Sequence, residues 1–571
     1  MPARRPTRPR HTPAGHPGWI GIMVALALGL GNAAAVAQEF DERFEDWPIN
    51  LKIQGSILAA EKLEDLLSVR RQLQPLFQSH PLGILQLQPP LPSANSSAEA
   101  TPVEPSLDLA LYKGLSEDLV AVPLTTATTP AQDVVIQDFD ILVWHTLPNT
   151  PFPTPPRRDS IGKFLKSCVD SGKVVILLGP AAEWAGAIFQ PDLDSSQPLH
   201  KGWDLLPDVW LKTGYDGATM QPQVQLRLST QPRRVGIGLT SGSLLILSGR
   251  KLQVMGEGTA TLLLPAGGQL PTKAFSLRAH RTREQAPTKH LADLTQWRRE
   301  SIERTLAPFP PQRPREPRVP HGCLMIVGGG GMPKGLMEEF VTAAGGVERA
   351  KLVYIPCEER DVIRGTPATV REWEEMGVQR ATFLHTKDRQ VSNESAEFYA
   401  PLQQATGIWF GGGRQWNFSD SYYGTRTHAL MKQVLRKGGV IGGSSAGASI
   451  QARYLARATP IENFDIMAPG YERGGLGFIS GVAIDQHFSQ RARQKDMAEL
   501  KHQYPQLLGI GIDEATAIIV RESTAKIVGQ GNVYFYDAQH SSDTAPPQYS
   551  LGEAGQSYDL ANRRIIESSD N

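Results

Sequence analysis

Two stretches of this chain share one glycine spacing. GIGLTSGSLLILSGRKLQVMGEG, beginning at Gly236, and GIGIDEATAIIVRESTAKIVGQG, beginning at Gly509, place glycines at 236, 238, 256 and 258 and at 509, 511, 529 and 531. A repeat on this scale limits the architecture more than any local motif does. Upstream, LVAVP at 119–123 echoes LVYIP at 352–356, and SGKVVI at 171–176 echoes KGGVI at 437–441. Matches in the same order along both halves predict a duplicated unit, with a worn copy over residues 38–300. Residues 88–104 (QPPLPSANSSAEATPVE) read as a flexible insertion in that copy. The prolines of LAPFPPQRPREPRVP at 306–320 block helix and central strand, so residues 301–320 read as a semi-rigid linker to a second unit at 321–571.

In the second unit, short apolar runs alternate with helical patterns. Leu324–Val327 is a strand ending in four glycines, 336–344 is helical, 351–355 is a strand, and 407–410 is a strand that again ends in glycines. A helix over 427–436 feeds the strand 439–441. Uniformly apolar strands alternating with helices predict an α/β fold with a parallel sheet covered on both faces.

Lys+Arg and Asp+Glu both number 58, so the formal net charge is zero. That argues against nucleic acid or an anionic membrane as the main partner, since either favours a basic excess. Residues 1–37 read as a secretory signal: Arg4, Arg5, Arg8 and Arg10 precede an apolar run from Trp19 to Leu30, and Ala35-Val36-Ala37 offers a cleavage site. The expectation is export to a periplasm or beyond the cell, with no membrane span after processing. Three cysteines, Cys168, Cys323 and Cys357, make no disulfide framework and read as small buried residues. Neither an H-E-x-x-H motif nor paired Cys or His spacing occurs, and the glycines at 328–331 lack phosphate-loop spacing, so neither metal nor nucleotide cofactor is expected.

Ser445 lies in Gly443-Ser444-Ser445-Ala446-Gly447, behind an apolar strand and ahead of a helix-compatible run at 448–455. A nucleophile needs such a tight strand-to-helix turn because small neighbours let the turn close and the substrate approach. A serine hydroxyl also needs a base to take its proton. His487 closes one apolar run in Asp485-Gln486-His487-Phe488, and Glu514 closes another in Gly511-Ile512-Asp513-Glu514. Strands of one parallel sheet would bring both to the edge that holds Ser445, with Glu514 orienting the imidazole. The order Ser, His, acid differs from the Ser, acid, His order of α/β-hydrolases and points to another fold. Backbone N–H groups of Ala446 and of Gly412 or Gly413, in the Gly411–Gln415 turn, are the expected oxyanion donors.

At these residues the chain resembles the cyanophycinases, relatives of aspartyl dipeptidases in one serine peptidase family. The resemblance covers about residues 322–538 and rests on DQHFSQR at 485–491, the Ser445 turn, the glycine loop ending in Gln415, and GIGIDE at 509–514. It implies a fold like that of class I glutamine amidotransferases, with Ser445 as nucleophile, His487 as base and Glu514 as acid. It further implies that Gln415, Gln486, Arg491 and Arg493 place the substrate. The implied reaction is hydrolysis of β-linked aspartyl-arginine polymer to dipeptides through an acyl-enzyme, without metal or cofactor.

Two departures bear on the substrate. Arg414 stands where the family's loop usually has aspartate, and Arg493 is followed by Gln494, Lys495 and Asp496 rather than by further arginines. Other aspartyl or isoaspartyl peptides, or peptide binding without cleavage, are the alternatives. A glutamine amidotransferase or general esterase shares the turn at Ser445 but not DQHFSQR. In the first unit Ser241 matches Glu514, and LLGPAAE at 177–183 matches the Ser445 turn without a serine, so that copy is expected to pack or dock rather than cut. A homodimer or an intramolecular pseudo-dimer between the halves is the expected assembly.

Overall fold

The structure is a computed structural model. It describes residues 53–566 except 78–81, 88–111, 113–114, 116–118, 125–138, 147–151, 156, 192, 194–197, 280–289, 462–464 and 538–548. The signal reading at 1–37 and the insertion at 88–104 lie outside the described residues.

Runs such as VVILL are buried at every position, so they form interior strands shielded on both faces. The first half holds β1 (Ser56–Ala60), β2 (Leu82–Leu87), β3 (Leu119–Leu124), β4 (Ile141–His145), β5 (Val174–Leu178), β6 (Gly186–Phe189) and β7 (His200–Lys201). It continues through β8 (Leu206–Thr213), β9 (Val235–Leu239), β10 (Ser243–Ser248), β11 (Lys251–Gly256), β12 (Thr259–Leu264), β13 (Lys273–Arg278) and β14 (Ala292–Asp293). The second half runs from β15 (Val319–Val327) through β16 (Lys351–Ile355), β17 (Arg380–Phe383), β18 (Gly407–Phe410), β19 (Val440–Ser444), β20 (Ala452–Tyr454) and β21 (Ile479–Gln486). Then come β22 (Leu508–Ile512), β23 (Thr516–Glu522), β24 (Thr524–Gly529), β25 (Val533–Tyr536), β26 (Ser550–Gly552), β27 (Ser557–Asp559) and β28 (Arg564–Ile566).

Each half is α/β and carries two sheets. The larger sheets run β14-β11-β10-β1-β5-β4-β2-β3 and, from the equivalent edge, β28-β27-β24-β23-β15-β19-β18-β16-β17. The smaller ones run β13-β12-β9-β8-β6-β7 and β26-β25-β22-β21-β20. Strand for strand, β1, β5, β4, β2 and β3 occupy the places of β15, β19, β18, β16 and β17, and they pair in parallel as those do. The glycine spacing has a packing cause: a Cβ on Gly238 would lie 2.3 Å from the Tyr215 ring, and one on Gly511 would lie 2.5 Å from the Phe488 ring. In both halves an aromatic ring fills the space that the missing side chain leaves.

The topology corrects one alignment. LVAVP is β3, whose counterpart is the edge strand β17, whereas LVYI lies in β16, whose counterpart is β2. Short apolar runs resemble each other whatever their place in a sheet, so the sequence echo paired the wrong strands. The run 448–455 also differs from expectation: a single helical turn, Ala446–Ser449, is followed at once by β20.

The halves meet through buried charge. Asp420 is fully buried and accepts from Arg250 at 2.6 Å, Arg299 at 2.5 Å and the Tyr471 hydroxyl at 2.9 Å. Burial alone would raise its carboxyl, but Arg299, Arg250 and Lys387 together pull it down to about 2. The helix Leu294–Glu303 extends this contact, with the Gln296 amide donating to the Pro469 carbonyl and Glu303 accepting from the Gly470 N–H, both at 3.0 Å. The prolines after it lie along the second half, where Gln506 donates to the Pro311 carbonyl at 3.3 Å and Val319 already belongs to β15.

Candidate active site

The strand β19 ends in a turn that puts Ser445 at φ 57°, ψ −113°, a backbone conformation that side chains rarely adopt. Tight packing holds it there: a Cβ on Gly443 would lie 2.3 Å from the Gly447 carbonyl oxygen, and one on Gly447 would lie 2.1 Å from that of Phe410. Ser445 Oγ lies 2.9 Å from His487 Nε2, and His487 Nδ1 lies 2.6 Å from Glu514 Oε1. His487 follows β21 and Glu514 follows β22, in the smaller sheet rather than in the larger one that carries Ser445. The single-sheet expectation is thereby corrected: the two sheets of the second half converge on the site.

β15 joins them. Successive carbonyls at its end accept from each of the three loops: Val327 from Ser445 N–H at 3.0 Å, Gly328 from His487 N–H at 2.8 Å, and Gly329 from Ala515 N–H at 2.8 Å. The glycines that follow lie directly against His487 and Glu514. A Cβ on Gly329 (φ 94°) would lie 2.4 Å from His487 Cε1, and one on Gly330 (φ 65°) would lie 2.3 Å from the Glu514 carboxyl carbon. This run lacks phosphate-loop spacing, and its place directly after an apolar strand is the sequence signal for such a platform.

DQHFSQR divides its work. Asp485, almost fully buried, pairs with Arg457 at 2.9 Å and Arg493 at 2.8 Å. Phe488 fills the space above Gly511, the Ser489 N–H donates to Asp513 at 2.9 Å, and Gln490 Oε1 accepts from Glu514 N–H at 3.0 Å. Gln490 and Asp513 are positioning groups that the sequence reading did not single out. Burial lowers the His487 imidazole below its ordinary value, and Arg491 and Arg493 add to this, while the bond to Glu514 opposes it. A neutral imidazole between a hydroxyl and a carboxylate can take the hydroxyl proton and be stabilised once charged.

Three expected substrate contacts are otherwise engaged. Gln415 is buried, its amide donating to the carbonyls of Ala456 at 2.7 Å and Arg457 at 2.8 Å. Gln486 is buried and its Oε1 accepts from Arg493 at 3.1 Å, while Arg493 is itself held by Asp485 and the Gln486 carbonyl. All three support the loops through these internal bonds. Arg491 remains exposed beside His487. Asp496, standing where the resemblance would place a further arginine, pairs with Arg457 at 2.5 Å. Arg414 Nη2 donates to the carbonyls of Thr459 and Ile461 at 3.1 and 3.2 Å.

Ala446 opens the helical turn after Ser445, where the first N–H groups have no partner within the helix. Gly412 flanks the serine, since a Cβ there would lie 3.6 Å from Ser445 Cβ. Gly413 instead packs on Cys357, whose thiol donates to the Arg414 carbonyl and is pushed up by burial to about 12. Among the described residues no group of three or more His, Cys, Asp or Glu side chains could hold a metal ion.

The family model described as Peptidase family S51 matches residues 324–528. Over those residues the chain resembles the serine-type peptidases of that family. Cyanophycinase of Trichormus variabilis is 28% identical over 249 residues, covering 42% of this chain and 81% of that relative. Cyanophycinase of Geminocystis herdmanii is 29% identical over 213 residues, covering 37% and 78%. A solved peptidase from an acI-B1 Actinobacterium is 21% identical, covering 42% of this chain and 97% of that one, with a TM-score of 0.31.

The first half keeps the backbone geometry of the second half's site without its side chains. Strand register puts Gly179 (φ 69°, ψ −145°) at the place of Ser445, Gly214 (φ 60°) at that of His487 (φ 48°), and Ser241 at that of Glu514. Ser241 Oγ donates to Glu61. The left-handed turns persist in both halves, while the hydroxyl, the imidazole and the carboxylate are all replaced in the first.

Proposed function

We propose that the S51 domain cleaves β-linked aspartyl-arginine polymer into dipeptides, with Ser445 as nucleophile, His487 as general base and acid, and Glu514 as the group that orients His487. The observation that carries this reading is the unbroken chain Ser445 Oγ–His487–Glu514 on a left-handed turn. Ser445 Oγ attacks the scissile carbonyl while its proton passes to His487 Nε2. The oxyanion accepts from the N–H groups of Ala446 and Gly412. His487 then protonates the departing amine as the C–N bond breaks, leaving an ester on Ser445. Water, deprotonated by His487, hydrolyses that ester and restores the hydroxyl. Arg491 reads a substrate carboxylate through its guanidinium fork.

Residues 1–37 direct export, and the first half serves as a docking or packing partner. A second reading, an aspartyl or isoaspartyl peptidase for other peptides, draws support from Arg414 and from Asp496, which takes up Arg457. Dipeptide release from the purified aspartyl-arginine polymer, set beside release from short isoaspartyl peptides, tests the assignment. Faster cleavage of the polymer, lost in Ser445→Ala, is expected; cleavage of the short peptides alone would transfer the assignment to the second reading.

A further inference from the structure

Behind the glycine loop at 411–415 stands a side chain from the other half of the molecule. The loop runs straight into the helix Trp416–Tyr422, whose first bonds are made to the loop itself. Asn417 N–H donates to the Arg414 carbonyl at 3.0 Å, and Phe418 N–H donates to that of Gln415 at 3.1 Å. The place of Gly412 beside Ser445 therefore depends on where this helix is held. Every residue of the helix is buried, so its packing partners set that place.

One partner is Arg250, in the turn between β10 and β11 of the first half. Its guanidinium carbon lies 5.1 Å from the Trp416 ring centroid, and its Nη1 donates to Asp420, one turn along the same helix, at 2.6 Å. Asp293 anchors it within the first half, accepting from Nη2 at 2.9 Å, and the Tyr471 hydroxyl accepts as well. On the second half's side, Lys387 Nζ lies 5.2 Å from the same ring centroid and donates to Asn417 at 2.5 Å. The Asn417 amide in turn donates to the Arg414 carbonyl at 3.1 Å, which also takes the Cys357 thiol on which Gly413 packs. The grip on Trp416 and Asp420 is thus continuous with the loop.

The duplication makes this reach one-sided. Under the shared glycine spacing Arg250 corresponds to Ser523, and the two carbonyls accept from matching main-chain donors, Leu294 and Leu560, each at 2.8 Å. The turn is kept in both halves, but the arginine stands in the half that lacks the triad.

We infer that Arg250 is a positioning residue for the peptidase reaction, supplied by the first half and acting through Trp416 and Asp420 on the oxyanion donor at Gly412. The inference rests on the serine mechanism proposed above but not on the polymer as substrate. Arginine suits the task because one planar fork meets Asp293, Asp420 and Tyr471 while lying over an indole; lysine brings a single point charge.

Titration of the full chain with a fluorophosphonate counts the competent Ser445 sites, so that rates can be stated per site. In Arg250→Gln, the rate constant of Ser445 labelling and kcat for polymer cleavage should both fall by about tenfold or more per titrated site. KM should change by less than about twofold, because an oxyanion donor acts in the transition state, where outright deletion costs about 100- to 1000-fold. Arg250→Lys should recover part of the loss. Arg299→Lys is the comparison, since Arg299 holds the same Asp420 carboxylate but lies over the Tyr471 ring. It should lower the melting temperature and leave both rates per site near those of the unaltered chain. A merely structural Arg250 would reduce the number of titratable sites and leave the rates per site unchanged, which would overturn the inference. An equal loss of rate in Arg299→Lys would overturn it too. Where Arg250→Gln does not fold, Arg250→Lys decides. Labelling needs no polymer, so an unaltered chain that labels at Ser445 without cleaving the polymer counts against that substrate, while the labelling rates still judge Arg250.

Discussion

The main-chain N–H of His487 donates to the carbonyl of Gly328 across 2.8 Å. That single bond ties the base to the strand whose preceding carbonyl, Val327, holds Ser445 and whose next, Gly329, holds the loop of Glu514. Three side chains from two sheets thus take their relative positions from three consecutive peptide groups. The arrangement makes the glycines after Val327 as consequential as the residues they support.

Gly329→Ala would drive a methyl group to 2.4 Å from His487 Cε1, at a backbone φ of 94° that alanine resists. We expect kcat to fall by about 100-fold or more, as for a misplacement of about 1 Å in the reacting groups. Steady-state kinetics alongside a thermal melt checks it. Full turnover in a folded variant would show that the imidazole does not depend on this platform.

Burial lowers His487, so the neutral form needed for proton transfer persists below the ordinary imidazole range. The acidic limb of kcat/KM should therefore lie below pH 6.5, with activity lost only as pH falls further. Glu514 opposes the lowering, so Glu514→Gln should move that limb further towards acid while reducing the plateau. A limb above pH 6.5 in the unaltered protein would contradict this account of the base.

Asp485→Ala would leave Arg457 and Arg493 without their buried carboxylate. Removing one partner of a buried ion pair costs about 3–5 kcal/mol, so a clear fall in melting temperature is expected. Arg493→Ala should behave in the same way, through stability rather than through KM. A stable Arg493→Ala protein with a strongly raised KM would restore that arginine as a substrate contact.

Asp420→Ala would strip Arg250 and Arg299 of a shared, fully buried partner where the halves meet. A loss of about 3–5 kcal/mol is expected on the same ground. Limited proteolysis should then cut the proline segment faster than in the unaltered chain. Unchanged melting and cleavage would mean that the contact does not hold the halves.

Much of this was legible in the sequence where covalent pattern and packing coincide. The glycines at 238 and 511 survive in both halves because Tyr215 and Phe488 press on them, so their spacing reports architecture directly. Ser445, His487 and Glu514 stood out because each closes an apolar strand. The internal partners of Gln415, Gln486 and Arg493 were not legible, because polar side chains look alike in sequence whether they face a cleft or a buried carboxylate. Their roles depend on Ala456, Arg457 and Asp485, which lie far from them in the chain or are distinguished only by burial. The helix expected at 448–455 failed for a related reason: small apolar residues suit a helix or a buried strand equally, and β20 pairs with β21 in a second sheet invisible to local pattern.

The central claim is that Ser445 is a nucleophile activated by His487. Incubation of the full chain with a fluorophosphonate, followed by mass mapping of the adduct, tests it most directly. A single adduct on Ser445, formed about a thousandfold more slowly in His487→Ala, is the predicted result. Polymer cleavage without an adduct at Ser445, or labelling at equal rates in the folded His487→Ala protein, would contradict it.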